Sequence, residues 1–355
     1  MFITGIGTAT PPRRYTKAEC WDAFKESDWF GRLDRRSHAI AEAILLRDNG
    51  ISARRLALDS LAEVFAIDPD TLQRRFATHA PTLATEAAVG AMRDAGIGAR
   101  DIDAIVVSTC TGYLCPGLTS YLAERLGLSA NVQAYDLVGQ GCAAALPNLR
   151  LADALITATA SQRVLSVCVE VSSAAMYLDN DPGVLVSACL FGDGAGAAVL
   201  SAQPVKHKRR IEWRSSSSVL EPGQRDALRF EQRGGMLRNI LTRPVPALAA
   251  EYAQTVLETE LARAQLKVGD IVSWIMHAGG RDVLQALRER IGLSVDDLRY
   301  SAAILDEYGN MSSAFVYFVL KDALEDNAPP GWWWMSAFGA GFTCHGALLE
   351  VGARE

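Results

Sequence analysis

A repeated order of segments constrains the fold of this chain more than any other feature. Residues 85–112, "TEAAVGAMRDAGIGARDIDAIVVSTCTG", and residues 251–280, "EYAQTVLETELARAQLKVGDIVSWIMHAGG", follow one plan. Each reads as a helix, a short turn, an acidic residue and an apolar strand that ends in small residues. Residues 306–325, "DEYGNMSSAFVYFVLKDALE", lay over residues 136–155, "DLVGQGCAAALPNLRLADAL". In that register Asp306 meets Asp136, Gly309 meets Gly139 and Ser312 meets Cys142. A strand follows each, "WWWMSAFGAGF" in one case and "RVLSVCVEV" in the other. The order of elements, more than the letters, indicates an internal duplication. Alternating helices and strands then predict an α/β fold of two packed halves, residues 1–205 and 206–355, each with a largely parallel sheet.

Smaller signals fill in the plan. "ITGIGTATP" reads as a strand running into a Pro-Pro turn, and residues 16–49 carry a helical apolar period. Thr85 is a plausible cap for the helix that follows it. "DAIVVSTC" and "NVQAYDLV" read as strands.

Charge and composition exclude several classes. The formal net charge of −6 lacks the basic footprint of a nucleic-acid binder, and the short run "KHKRR" at 206–210 reads as a solvated lead into a strand. No apolar stretch reaches the roughly 20 residues needed to span a bilayer. The N-terminus lacks a charged segment followed by a long apolar run, so no secretory signal is expected. Seven cysteines without a CxxC pair indicate neither a disulfide framework nor a zinc site, which fits a reducing cytoplasm.

Open α/β sheets place ligands beyond the carboxyl ends of their strands. Three chemically able residues fall there: Cys142, His277 at the end of "VSWIMH", and Asn310 in "EYGNMSS". Cys142 follows a Gly-x-Gly turn and begins a helix, whose free N–H groups favour a thiolate and an oxyanion. Free cysteine is also a common buried packing residue, so local context leaves both roles open. His277 reads from context as satisfied structure or as a base, and Asn310 as a turn residue or as a neutral donor to a carbonyl oxygen. Cys110, Cys115, Cys168, Cys189 and Cys344 lie in or near apolar strands and read as packing. "GQGCAA" lacks the third glycine of a dinucleotide fingerprint, and no Walker lysine follows any glycine cluster. The glycines of "FGDGAGAAVL" read as close backbone packing, and "GWWWMSAFGAGF" as a core strand.

These motifs together resemble the type III polyketide synthases, the chalcone synthase-like group of the thiolase superfamily. "DEYGNMSSA" is similar to the family's asparagine motif, "VGQGCAAALPNLRLA" to its nucleophile motif and "SWIMHAGGRDVL" to its histidine motif. "LFGDGAGAAVL" matches the segment of a gatekeeper phenylalanine, here Phe191, and "CTGYLCPGL" resembles the loop that crosses to the partner subunit, with Cys115 at the crossing position. The resemblance implies a thiolase-like αβαβα fold, a homodimer and a Cys142–His277–Asn310 triad with no metal or redox cofactor. It implies a cavity lined by Phe191, Ala175, Cys110, Cys115, Ser312 and Gly341. In the implied chemistry an acyl starter loads on Cys142 as its thioester, and His277 maintains a thiolate–imidazolium couple. His277 and Asn310 then hold the enolate formed when malonyl-CoA loses CO2, and a Claisen condensation extends the chain.

The chain departs from the plant pattern in places. "EAILLRDNGISARR" offers Glu42, Leu45 and Asn49 where cations are expected to hold CoA phosphates, with Arg47, Arg54 and Arg55 nearby but offset. Delivery by an acyl-carrier-protein thioester therefore stands beside acyl-CoA. Ala175 in place of threonine suggests room for a fatty starter and an alkylresorcinol or alkylpyrone product. Two rivals remain: a ketoacyl synthase III-like enzyme that condenses once, and a pairing subunit without turnover.

Overall fold

The computed structural model describes residues 1–158 and 162–354. Strands with apolar residues on both faces form the centre. Ala104–Ser108, Arg163–Glu170 and Gly194–Ser201 are buried almost end to end. They belong to one nine-stranded sheet, ordered Ile271–Met276, Gly331–Gly339, Thr343–Val351, Ile211–Leu220, Phe2–Ala9, Gly194–Ser201, Arg163–Glu170, Ala104–Ser108 and Gln133–Leu137. The two halves of that sheet meet at a single paired position, Phe2 opposite Glu212.

Helices cover both faces of each half. Pro69–Ala95 and Leu118–Leu126 pack outside the first half, and Val245–Ala264 outside the second. Between the halves lie Ala145–Ala158 and Phe315–Glu325. Phe315–Leu320 is buried residue after residue, because sheets press on it from both sides. The result is the layered α/β fold of two duplicated halves that the repeat predicts, with a strand "GWWWMSAFG" whose Trp333 and Trp334 are fully buried in the core.

Two details differ from expectation. The halves are mixed rather than largely parallel. In the first, only the pairs made by Ala104–Ser108 are parallel; in the second, only Ile271–Met276 with Gly331–Gly339. One antiparallel pair comes from a tight reversal, the hairpin from Gly339 to Thr343; the others join strands remote in sequence or separated by a helix. Thr85 is not a cap. The helix starts at Pro69, where Asp68 accepts from the Thr71 N–H, and runs through Pro81 to Ala95. Thr85 sits inside it with its hydroxyl donating to the Pro81 carbonyl, 2.7 Å away.

The duplication also diverges where it matters for the site. Residues 306–314 and 136–144 both turn through a short 3₁₀ segment into a central helix. Before that turn the first half has the strand Gln133–Leu137, whereas the second has the helix Arg299–Tyr308.

Candidate active site

The turn after Gln133–Leu137 needs glycine twice. Gly139 has φ of 81° and Gly141 of 54°, the left-handed region that side chains with a Cβ avoid. Cys142 follows in the 3₁₀ turn Gly141–Ala143 and is only 8% exposed. The backbone of the core strand supports this turn from below: a Cβ on Gly339 would sit 2.5 Å from the Gln140 carbonyl oxygen.

His277 follows the strand Ile271–Met276, and its N–H donates to the Ser336 carbonyl at 2.9 Å. Its ring meets Phe315 edge-on and lies against Phe338, with centroids 5.3 and 5.1 Å apart. Both ring nitrogens are buried and lack a hydrogen-bond partner among the described residues. Asn310 is held by the backbone, its N–H donating to Leu190 and its carbonyl accepting from Gly192. Its Nδ2 donates to the Gly279 carbonyl at 3.0 Å, and its Oδ1 accepts from the Ser312 N–H at 2.8 Å.

Three residues from distant segments thus reach one cavity of about 520 Å³, where Cys142, His277 and Asn310 share the wall with Phe191 and Phe338. Burial dominates their charge. It pushes the Cys142 thiol up to about 12 and the His277 imidazole down to about 3. Burial thus acts against both members of the thiolate–imidazolium couple that the resemblance implies.

A second, inner chamber of about 40 Å³ shares Cys142 and Phe191 with the first, and Cys110, Ala175 and Ser312 also line it. Two other expected lining residues do not. Gly341 has φ of 138° at the hairpin, where a Cβ would crowd Thr343, and Ala340 faces the chamber instead. Cys115 is exposed, outside the chamber of its own chain.

The mouth of the larger cavity carries Arg47, Arg243 and Arg281 with Asp48, Asn49 and Asp282. Sequence reasoning identified Arg47 but missed Arg243 and Arg281, which come from another part of the chain. Arg54 and Arg55 are not at the mouth. Arg54 is buried and donates to the Ala188 and Phe191 carbonyls at 2.7 and 3.1 Å; Arg55 pairs with Glu307 at 3.0 Å. Leu45 is buried in the core.

Glu170 was missed altogether. It is fully buried at the end of Arg163–Glu170 and ringed by donors: the Cys110 N–H at 3.0 Å and the hydroxyls of Thr109, Thr111, Ser312 and Ser313. The only sequence signal for it is an acidic residue closing an otherwise apolar strand.

Residues 1–204 match the family described as chalcone and stilbene synthases, N-terminal domain, and residues 214–351 match its C-terminal domain. Among curated relatives, a 3,5-dihydroxyphenylacetyl-CoA synthase of Streptomyces toyocaensis is 28% identical over 98% of this chain and 89% of its own length. PKS-I of the brown alga Ectocarpus siliculosus superposes with a TM-score of 0.87 at 26% identity, covering 98% of this chain and 97% of that one. The C-terminal type III polyketide synthase domain of Steely1, a type I/III hybrid from Dictyostelium, gives the same TM-score at 25% identity, covering 98% of both chains.

Proposed function

Because the chain belongs to the chalcone and stilbene synthase family, and is thus an acyltransferase of the type III polyketide synthase class with a thiolase-like fold, we propose that it extends a fatty acyl starter by repeated decarboxylative condensation with malonyl-CoA. The product is an alkylresorcinol or alkylpyrone. Cys142, His277 and Asn310 are its catalytic residues, carried on halves of residues 1–205 and 206–355. The observation that carries this reading is their convergence on one cavity.

The chemistry follows from the placement. Cys142 attacks the starter thioester and holds the acyl group. Malonyl-CoA enters past Arg47, Arg243 and Arg281, whose charges suit the phosphates of CoA. An unpartnered His277 nitrogen and the free Nδ2 hydrogen of Asn310 donate to the thioester oxygen as CO2 leaves, holding the enolate charge. His277 donates here as the neutral tautomer, which its low basicity favours. Phe191 keeps water from the departing carboxylate. The carbanion attacks the Cys142 thioester, and the cycle repeats.

Support for a fatty starter is the apolar ground behind the inner chamber. Leu56, Met176 and Ala188 wall both that chamber and a neighbouring cavity that runs to Phe24, Leu45 and Phe65. Ala175 leaves the chamber side open where a larger residue would fill it. A second reading has its own support: the chamber is small, about 40 Å³, and the Streptomyces relative is a 3,5-dihydroxyphenylacetyl-CoA synthase. In that reading the starter is short. We place the protein in a reducing cytoplasm, since all seven cysteines are free thiols, and as a homodimer through the loop carrying Cys115.

Incubation with malonyl-CoA and acyl-CoA starters of graded length, followed by mass analysis of products, tests this. Resorcinols or pyrones from long-chain starters are expected. Products from malonyl-CoA alone favour the second reading. A single added two-carbon unit places the enzyme with the ketoacyl synthases, and delivery on a carrier protein shows as turnover only with that thioester.

A further inference from the structure

The hairpin of Leu228–Arg233 and Met236–Leu241 lies apart from the nine-stranded sheet and borders the cavities of the site. Side chains alternate along a strand, so Leu237, Asn239 and Leu241 share one face. Leu241 lines the larger cavity, Asn239 the inner chamber, and Leu237 a surface groove that adjoins the chamber at Cys110 and Phe230. Across the hairpin Asn239 pairs with Phe230, and Leu241 with Leu228. A carboxamide thus stands among four apolar side chains on the face turned to the chamber, in a strand, where asparagine is disfavoured. Asn239 is only 8% exposed, yet its amide has no hydrogen-bond partner among the described residues.

A second polar group beside it shares that condition. Ser172 opens the turn Ser172–Ala175, against which Met236–Leu241 packs. It lines the same chamber, and its Oγ is buried without a partner among the described residues. Buried polar groups are ordinarily bonded, because leaving them unpaired is costly. Two such groups on one chamber point to an occupant that supplies the missing partner. Both groups donate and neither is charged, which suits a neutral oxygen. Arg229 on the same wall is engaged by Glu231 and the Asp226 carbonyl, so its charge is answered by its own neighbours.

We propose that Asn239 and Ser172 receive a ketone oxygen of the growing chain, which makes them specificity-determining residues for the extended intermediate. Each malonyl unit leaves a carbonyl on every second carbon. An extended chain therefore carries ketone oxygens, whereas a plain alkyl starter carries only the thioester carbonyl at Cys142. The Asn239 Nδ2–H and the Ser172 O–H donate to one such oxygen. Holding it fixes how the chain folds in the chamber, and with that which carbonyl carbon meets which methylene at ring closure. A hydrocarbon at that depth leaves both groups unpaired, so the chamber discriminates against it. This rests on the reading above and deepens it: the inner chamber takes the oxygenated segment, and an alkyl tail belongs in the neighbouring cavity of Phe24 and Phe65.

The test needs Cys142 to carry an acyl group but needs no polyketide. Acylation of Cys142 by the N-acetylcysteamine thioesters of hexanoate, 3-oxohexanoate and 5-oxohexanoate is timed by the mass of the Cys142 peptide, in the full chain and in the Asn239→Leu and Ser172→Ala variants. The two oxo compounds present one ketone at two depths. The quantity read is the rate with an oxo thioester over the rate with hexanoate, compared between proteins, so the intrinsic reactivity of each compound cancels. For at least one oxo thioester this ratio should fall about tenfold in each variant. A merely structural role slows all three compounds alike and leaves the ratio where it was. An unchanged ratio in either folded variant overturns the proposal. If Asn239→Leu does not fold, as judged by near-ultraviolet circular dichroism, the Ser172→Ala ratio decides alone. No adduct on Cys142 from any thioester overturns this inference together with the reading above. A ratio that falls in an enzyme making no polyketide from any starter leaves ketone recognition standing and removes only that reading.

Discussion

At the scale of single residues, burial decides the charge state of the site. His277 is 2% exposed and its imidazole is driven down to about 3. Its pKa is lower folded than unfolded, so the unfolded chain binds the extra proton between about pH 6.5 and 3. The stabilisation from keeping it neutral is fully present above the unfolded value and is lost as pH falls through that window. Compared with a His277→Phe variant, the protein should lose up to about 1.4 kcal/mol per pH unit below pH 6. Denaturant titrations of both proteins at pH 7 and pH 5 measure the difference, and parallel behaviour contradicts a buried neutral imidazole. Asn310 carries two duties. Its Oδ1 satisfies the buried Ser312 N–H, and in the proposed mechanism its Nδ2 donates to the enolate oxygen. Asn310→Ala should slow malonyl-CoA decarboxylation about 10²- to 10³-fold and cost about 1–3 kcal/mol of stability for the orphaned N–H. Released CO2 and a melting curve report the two effects separately.

At the scale of elements, the placement of Cys142 depends on a contact between a core strand and the turn above it. Gly339 ends the strand Gly331–Gly339, and a Cβ there would press on the Gln140 carbonyl and the Ala143 N–H on either side of Cys142. Gly339→Ala should cost about 1–3 kcal/mol and lower acyl loading of Cys142 about a hundredfold through displacement of the turn. Intact-protein mass after a timed acyl-CoA pulse gives the loading rate; unchanged loading means the turn holds Cys142 without that support. The cysteine, histidine and asparagine were readable in the sequence for a local reason. Cys142 and His277 sit where a strand ends in small residues, and Asn310 in a glycine turn, here after the helix Arg299–Tyr308, so turn chemistry marks all three. Glu170 carries no such mark, because its meaning comes from donors on two remote segments, 109–111 and 312–313. Arg243 and Arg281 belong to a pattern that exists only once two remote elements meet at the mouth. The mixed sheets escaped for a similar reason: alternation of helices and strands predicts layers, but direction depends on which strands pair, as in the hairpin that closes at Gly341. The pairing of Cys142 with Ser312 was visible as an overlay of two segments, yet only the folded chain turns that overlay into a contact.

At the scale of the whole molecule, the sheet ends in an edge that a single chain leaves open. Among the described residues Gln133–Leu137 makes its strand pairing with Ala104–Ser108, at the end of the sheet order, and its residues are largely exposed. Next to it Val138 is 65% exposed and Tyr113 69%, and the two line one surface groove. Cys115 is exposed on the same loop as Tyr113. Unpaired edges and clustered apolar groups invite another chain, and a second copy presenting the same patch satisfies both through a two-fold interface. In the proposed dimer the exposed Cys115 and its loop would be directed toward the partner. A charge at the centre of the patch should separate the copies. Val138→Arg changes an exposed side chain, so the folded chain should keep its stability to within about 0.5 kcal/mol. Light scattering should report a dimer for the unaltered protein and a monomer for the variant. Cys115 supplies an internal check, because a bulky disulfide reagent should modify it slowly in the dimer and rapidly in the monomer, while the buried thiols stay silent in both. A monomeric unaltered protein at micromolar concentration, with Cys115 already reactive, rules out the homodimer and leaves the outward loop to be explained by contact with something else.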